Sequence, residues 1–225
     1  MSAIFRSTEK DRVAREAYQQ LAAAADEFER YPNPHAARIA AIADRIAETF
    51  HLAPQDRKSL RMAARMHDLG EVAMERDYIQ RAGSLTDEER IDLQRHPVIG
   101  EQEAARASAN RDVQLLVRWH HEWWNGLGYP DALRQNEIPL AARILRVADS
   151  YAALTDARPY RPALTEEEAR TRIVGNAGIE FDPAVVSVLL SLENVAELRS
   201  FAKPVEATNA TTDDDGWNLF SLFMK

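Results

Sequence analysis

The chain has 225 residues, 45% hydrophobic and 28% charged, a balance that supports one main globular domain and argues against wholesale disorder. No apolar run reaches the roughly 18 residues of a membrane span and the N-terminus lacks the apolar core of a secretion signal, so a cytoplasmic protein is expected. A formal charge of -8 offers no basic footprint for duplex nucleic acid, and the absence of cysteine leaves His, Asp and Glu for any metal.

Eight glycines and ten prolines are few for this length, and the abundance of Ala, Leu, Ile, Arg and Glu predicts an all-α fold. Thr8 and Asp11 resemble a capping box before a first helix that ends near Tyr31. Asn33 as cap and Pro34 in the first turn start a second helix, which carries His35. "APQDRKSLRMAARMHDLG" reads as a third, closed by Gly70, with His67 and Asp68 in its last turn. Thr86 and Glu89 open a short fourth helix leading to His96 and Pro97.

"VIGEQEAARAS" and "RDVQLLVRWHHE" give two more helices, the latter ending on His120 and His121. After a loop from Asn125 to Pro139, "LAARILRVADSYAALTD" is helical and contains Asp149, and two last helices begin at Thr165 and near Asp182. From Pro204 the chain turns polar and acidic before the aromatic patch "WNLFSLFMK", read as a linker and a tail that is mobile or folds back on the body, or else docks a partner or a second subunit. The expected layout is an N-terminal helix over 1–31, a helical domain over 32–203 and the tail over 204–225.

Five of the six histidines, all but His51, fall at helix starts or ends. Helix ends around a shared core converge on one cavity, and imidazoles with carboxylates suit Fe, Mn, Zn or Ni. Asp68 directly follows His67, and a carboxylate has two oxygens with which to bridge two cations. Two metals about 3.5–4 Å apart clamp an in-line attack on phosphorus, so the chemistry suggested is phosphoester hydrolysis.

"MHDLG" is similar to the HD motif of the HD superfamily of metal-dependent phosphohydrolases, and "HHEWWNGLGYP" resembles the HHE-x-W-D-G-x-G-Y-P signature of its HD-GYP subfamily. The resemblance runs from about Asn33 to Glu180 and implies an HD-domain helical bundle with a GYP loop. It further implies a cyclic di-GMP phosphodiesterase that yields pGpG and/or GMP, using a hydroxide bridging two metals. Carried over residue by residue, His35, His67, Asp68 and Asp149 surround one metal, and His96, His120 and His121 hold the second, with Asp68 bridging. Three-metal members have a glutamate four residues before the first histidine; Tyr31 stands there, so two divalent ions per chain, Fe or Mn, are expected.

Glu71 stands where the family has a lysine that helps position the substrate phosphate, which places Glu71 beside Asp68 in the catalytic set with its charge reversed. A carboxylate about 4 Å from a phosphate costs about 4 kcal/mol at an effective dielectric near 20, unless a metal or arginine screens it. Two alternatives therefore stand beside the active enzyme: a weakened sensor or docking module, and a hydrolase of another nucleotide. Asn125 replaces an aspartate and keeps the turn and one acceptor; Glu122 either orients a ligand histidine or is a solvated surface group. Arg158 and Arg161 of "RPYR" are implied phosphate contacts, or else a helix-terminal salt bridge. Tyr129 and Gly128 support substrate, a partner domain or only the turn, and Trp119, Trp123 and Trp124 either anchor the loop on the core or include a platform for a base. The N-terminal helix is a candidate contact for a homodimer or a separate regulator.

Overall fold

Apolar side chains recurring every three and four residues have one way to leave water together, as helices sharing a core. The computed structural model describes residues 20–28, 31, 33–81, 84–157 and 162–192. Its helices are α1 (residues 20–28), α2 (His35–Thr49), α3 (Pro54–Met66), α4 (Leu69–Met74), α5 (Asp77–Gln80) and α6 (Asp87–Leu93). They continue as α7 (His96–Arg106), α8 (Arg111–Trp119), α9 (Leu140–Thr155), α10 (Glu166–Gly175) and α11 (Pro183–Ser191). Among the described residues the only extended pairing is an isolated bridge between Ala177 and Phe181, so the all-α expectation holds.

α2 is the central element. It buries Ile39, Ile42 and Ile46 completely and packs on α3 and α9. Leu60 and Met66 of α3, Val113 and Val117 of α8, and Ile144 and Leu145 of α9 close round it. Each such side chain contributes about 1.5–3 kcal/mol when fully buried. The apolar mass thus sits below the helix ends that carry the histidines.

Several starts follow the local chemistry read from sequence. Thr86 with Glu89 and Thr165 with Glu168 form reciprocal capping boxes, and Asp182 accepts from Ala184 N at 2.8 Å. α2 differs: Asn33 makes no cap, and Asp26 of α1 reaches across to accept from Ala36 N at 2.9 Å. α3 stops at Met66, Asp68 is the residue before α4, and Gly70 lies inside α4 rather than closing α3.

Gly70 is required for another reason. A Cβ there would meet the His96 carbonyl oxygen at 1.9 Å and Gly100 N at 2.8 Å. Glycine lets α4 lie against the start of α7, which brings His67 and Asp68 up to His96. No described helix is long and apolar enough to cross a membrane. The capping box expected at Thr8 and the whole of 204–225 lie outside the described residues, as does most of the N-terminal segment.

Candidate metal centre

The expected ligands arrive from five places on the bundle. His35 begins α2, His67 and Asp68 link α3 to α4, His96 begins α7, His120 and His121 follow α8, and Asp149 lies in α9. His35, His67, His96 and His120 are at most 3% exposed, and Asp68 is 9% exposed. Ligand atoms of Asp68, His96, His120 and His121 all lie within 4.8 Å of one another.

Three imidazoles are held by one local device. His67 Nδ1 donates to Ala64 O at 3.1 Å, His96 Nδ1 to Leu93 O at 2.8 Å and His120 Nδ1 to Val117 O at 2.6 Å. Each carbonyl lies three residues back, left over where the chain has just completed a turn. This fixes the proton on Nδ1 and turns the Nε2 lone pair inward. His35 reaches the same state through a side chain, its Nδ1 being 2.8 Å from Asp156 Oδ2. Arg38 in turn holds Asp156 Oδ1 at 2.6 Å and Thr155 Oγ1 at 2.7 Å.

The inward nitrogens then face one another and the carboxylates. His96 Nε2 and His120 Nε2 are 3.2 Å apart, and each is about equally far from Asp68 Oδ1, at 3.5 and 3.6 Å. The other oxygen, Asp68 Oδ2, lies 2.7 Å from His67 Nε2. Asp149 Oδ1 is 3.7 Å from His67 Nε2 and 4.0 Å from His35 Nε2. One Asp68 oxygen therefore serves each half of the cluster.

Converging lone pairs and carboxylates repel unless a cation sits among them. His67 Nε2, despite its short approach to Asp68, makes no well-aligned hydrogen bond. The residues present fit divalent metals: imidazoles of His35, His67, His96 and His120 turned to offer Nε2, the His121 ring beside them, carboxylates, and among the described residues no competing thiolate. Without metal the charge is carried by protons. Burial opposes a charged His67, but the carboxylates of Asp68 and Asp149 outweigh it and push its pKa up to about 9. Burial drives His96 down to about 4 and His121 well below its ordinary value. Burial likewise opposes ionised Asp68, yet the facing histidines hold its carboxyl well below the carboxylate range.

The glycine loop wraps this cluster. A Cβ on Gly128 would meet Trp123 N at 2.2 Å and His121 O at 2.5 Å, so only glycine admits the crossing. Tyr129 N donates to His121 O at 3.2 Å, and the Tyr129 ring stacks on His121 with centroids 4.8 Å apart. The Tyr129–Pro130 peptide is cis. Glu122, 2% exposed, accepts from Asp131 N at 2.7 Å and Leu133 N at 2.9 Å. It pins the loop backbone; it is neither a solvated group nor hydrogen-bonded to a ligand histidine. Asn125 Oδ1 accepts from Leu127 N at 2.9 Å, keeping the expected turn. Trp119 Nε1 donates to Asp131 Oδ2 at 2.7 Å, which ties α8 to the loop.

Glu71 lies at the centre's edge, Oε1 3.9 Å from His96 Nδ1. Tyr31 stacks on His35 with centroids 3.7 Å apart, and His51 is exposed in the turn after α2. Arg158 and Arg161 lie outside the described residues.

Sequence reasoning missed Asp26, Arg38, Arg146, Asp156 and Glu180. Arg146 Nη1 is 3.0 Å from His121 Nδ1 and 3.4 Å from Asp149 Oδ2, and Nη2 pairs with Glu180. The available signal was its spacing, three residues before Asp149 on the same helix face. Asp156 and Asp26 left none, since their partners come from other helices.

An HD domain family model matches residues 16–185. The chain is 37% identical over 179 residues to the cyclic di-GMP phosphodiesterase response regulator RpfG of Xanthomonas campestris pv. campestris, covering 78% of this chain and 47% of that protein. It is 38% identical over 149 residues to a cyclic di-GMP phosphodiesterase of Vibrio cholerae serotype O1, covering 63% of this chain and 30% of that one. The chain thus spans about half, or less, of the length of these relatives. A crystal structure of a cyclic GMP-AMP specific phosphodiesterase of V. cholerae (V-cGAP3) superposes with a TM-score of 0.61 at 21% identity, covering 84% of this chain and 53% of that one. That likeness shows the fold. With helices, ligand geometry and a family match over most of its length in agreement, the chain belongs to the HD domain family, and its His67-Asp68 pair and Gly128-Tyr129-Pro130 turn are the features for which the HD-GYP subfamily is named.

Proposed function

We propose that this chain is a metal-dependent phosphodiesterase that opens cyclic di-GMP to pGpG and/or GMP. The observation that carries the reading is the arrangement of Asp68, one oxygen facing His67 and the other facing His96 and His120, at the junction of two histidine-carboxylate groups. His35, His67, Asp68 and Asp149 would hold one divalent cation, and Asp68, His96, His120 and His121 a second, with Fe or Mn suited to these donors. When bound, such a pair supplies an acidified water and stabilises charge developing on phosphorus.

The chain's own groups do the rest. Backbone carbonyls hold the Nδ1 proton on three histidines, which aims Nε2 inward; on His67 a metal would have to displace the second proton that the carboxylates retain there. Tyr129 covers one face of His121 and excludes water there; burial pushes its hydroxyl well above the ordinary range, so it stays neutral beside the anionic cluster. Arg158 and Arg161 follow α9 and would meet phosphate oxygens, and Gly128 keeps the loop close enough for Tyr129 to border the substrate.

A second reading is favoured by Glu71. Its carboxylate stands at the centre's edge rather than away from it, which opposes a phosphate and fits a weakened enzyme, or one tuned to another cyclic dinucleotide. Protein reconstituted anaerobically with Fe(II) or Mn(II) and given cyclic di-GMP should yield pGpG or GMP, and a double variant His67→Ala, Asp68→Ala should yield none. Intact cyclic di-GMP with turnover of a mixed cyclic dinucleotide would move the substrate. Intact substrates with metal bound, and a large gain on Glu71→Lys, would make the chain a degenerate sensor.

A further inference from the structure

We propose that Arg146 anchors a phosphate of the substrate, and that the cavity beside it takes one nucleoside of that substrate; this rests on the phosphodiesterase reading above. A cavity of about 270 Å³ adjoins the centre, and Arg146, Asp149, Ser150, Arg172, Asn176 and Glu180 are among its lining residues. Pockets for whole drug-sized ligands run from about 300 to 1,000 Å³. The volume therefore suits half of a cyclic dinucleotide, with the other half left outside. The wall shared with the centre is Asp149, so a nucleoside here delivers its phosphate to the proposed ligands.

The charge around that passage explains why an arginine is placed there. Asp68, Glu71, Asp149 and Glu180 bring four carboxylates to the centre and its cavity. Two divalent cations would only balance them, so the surplus positive charge that attracts a phosphodiester anion has to come from arginines, and Arg146 and Arg172 line this cavity. Of these, Arg146 is in contact with a proposed ligand histidine, His121.

The geometry is already set for the task. His121 Nδ1 and Asp149 on Nη1, and Glu180 on Nη2, hold the guanidinium from both ends. Of its five N–H groups, Nε is buried without a partner, and Nη2 has a second hydrogen to give to a phosphate oxygen. A side chain 14% exposed on α9 is also little free to wander, so less order has to be imposed on binding.

The test is equilibrium titration of metal-loaded protein with a hydrolysis-resistant bis-phosphorothioate analogue of cyclic di-GMP and, separately, with diphenyl phosphate, alongside metal content. In Arg146→Met both probes should bind about 10- to 100-fold more weakly with metal content unchanged, and Arg146→Lys should recover part of the loss. Equal binding by wild type and Arg146→Met, or a loss that merely tracks lost metal, overturns the anchor. If wild type ignores the dinucleotide analogue, the substrate reading fails by itself. Diphenyl phosphate then reads the anchor alone, weaker binding in Arg146→Met upholding it and equal binding overturning it.

Discussion

His67 and His96 lie on opposite sides of Asp68 and respond to it in opposite directions. His67, raised to about 9, contributes stability that is complete below its unfolded value near ~6.5 and is lost as pH rises through about 9. His96, depressed to about 4, contributes stability that is present above ~6.5 and is lost as pH falls toward about 4. These two groups give the metal-free protein a stability optimum near ~6.5. Metal held at His67 would displace its proton, so the stabilisation that metal adds grows as pH rises from ~6.5 toward about 9, and the loaded protein should stay level where the stripped protein loses stability. Calorimetric melting of chelator-treated and metal-loaded protein from about pH 5 to 9 checks both slopes; a stripped-protein optimum on the alkaline side of ~8 would contradict a charged His67.

Asp156 acts one bond further out, fixing the His35 ring so that Nε2 faces Asp149. Asp156→Ala should weaken the metal proposed at His35 about 10- to 100-fold while leaving the proposed His96–His120–His121 site loaded. Metal titration followed by elemental analysis would show one ion lost; loss of neither ion removes the positioning role.

At the scale of elements, the contact between α4 and α7 decides whether the two halves of the centre meet. Gly70→Ala forces a methyl onto the His96 carbonyl and should destabilise the protein by about 1–3 kcal/mol, with metal content falling as His96 moves. Gly100→Ala is the control on the facing helix. Its new Cβ would meet Val117 Cγ1 at 3.0 Å, the tip of a side chain that can shift, so the loss should be smaller. Urea melts with metal analysis rank the two, and an equal loss in both would mean that the close approach at His96 is not the constraint.

The same pair of helices marks where sequence was readable. Thr86-Glu89 and Thr165-Glu168 were legible because a capping box is complete within four residues. The histidines proposed as ligands stood out because each falls where a helix starts or stops. α4 and α5 were not legible, since six and four residues hold too little periodicity and α4 is held by packing on α7. Gly70 after an apolar helix read as a terminator, whereas its need arises at His96, far along the chain. Arg146 and Asp156 act on partners 25 and 121 residues away, which no local pattern reports.

Over the whole molecule, the core and the centre are separate sources of order. Ile39, Ile42, Ile46, Leu60 and Val117 pack without help from any ligand atom, so the bundle should stay folded when stripped of metal. The proposed ligands, by contrast, tie together α2, the α3–α4 link, α7, the end of α8 and α9, and α4 and the loop after His121 bury few apolar side chains of their own. Ligand binding at 100 times Kd adds about 2.7 kcal/mol, which in a domain of this size raises Tm by about 5–10 °C. That gain should be uneven. Amide exchange should slow most in α4 and in the loop over 122–130, and least in α2, where the core already sets protection. Exchange mass spectrometry with and without Mn(II) measures this directly. Uniform slowing across all helices would mean that metal and core form one cooperative unit, and unfolding on chelation would mean that the apolar bundle does not stand without its centre.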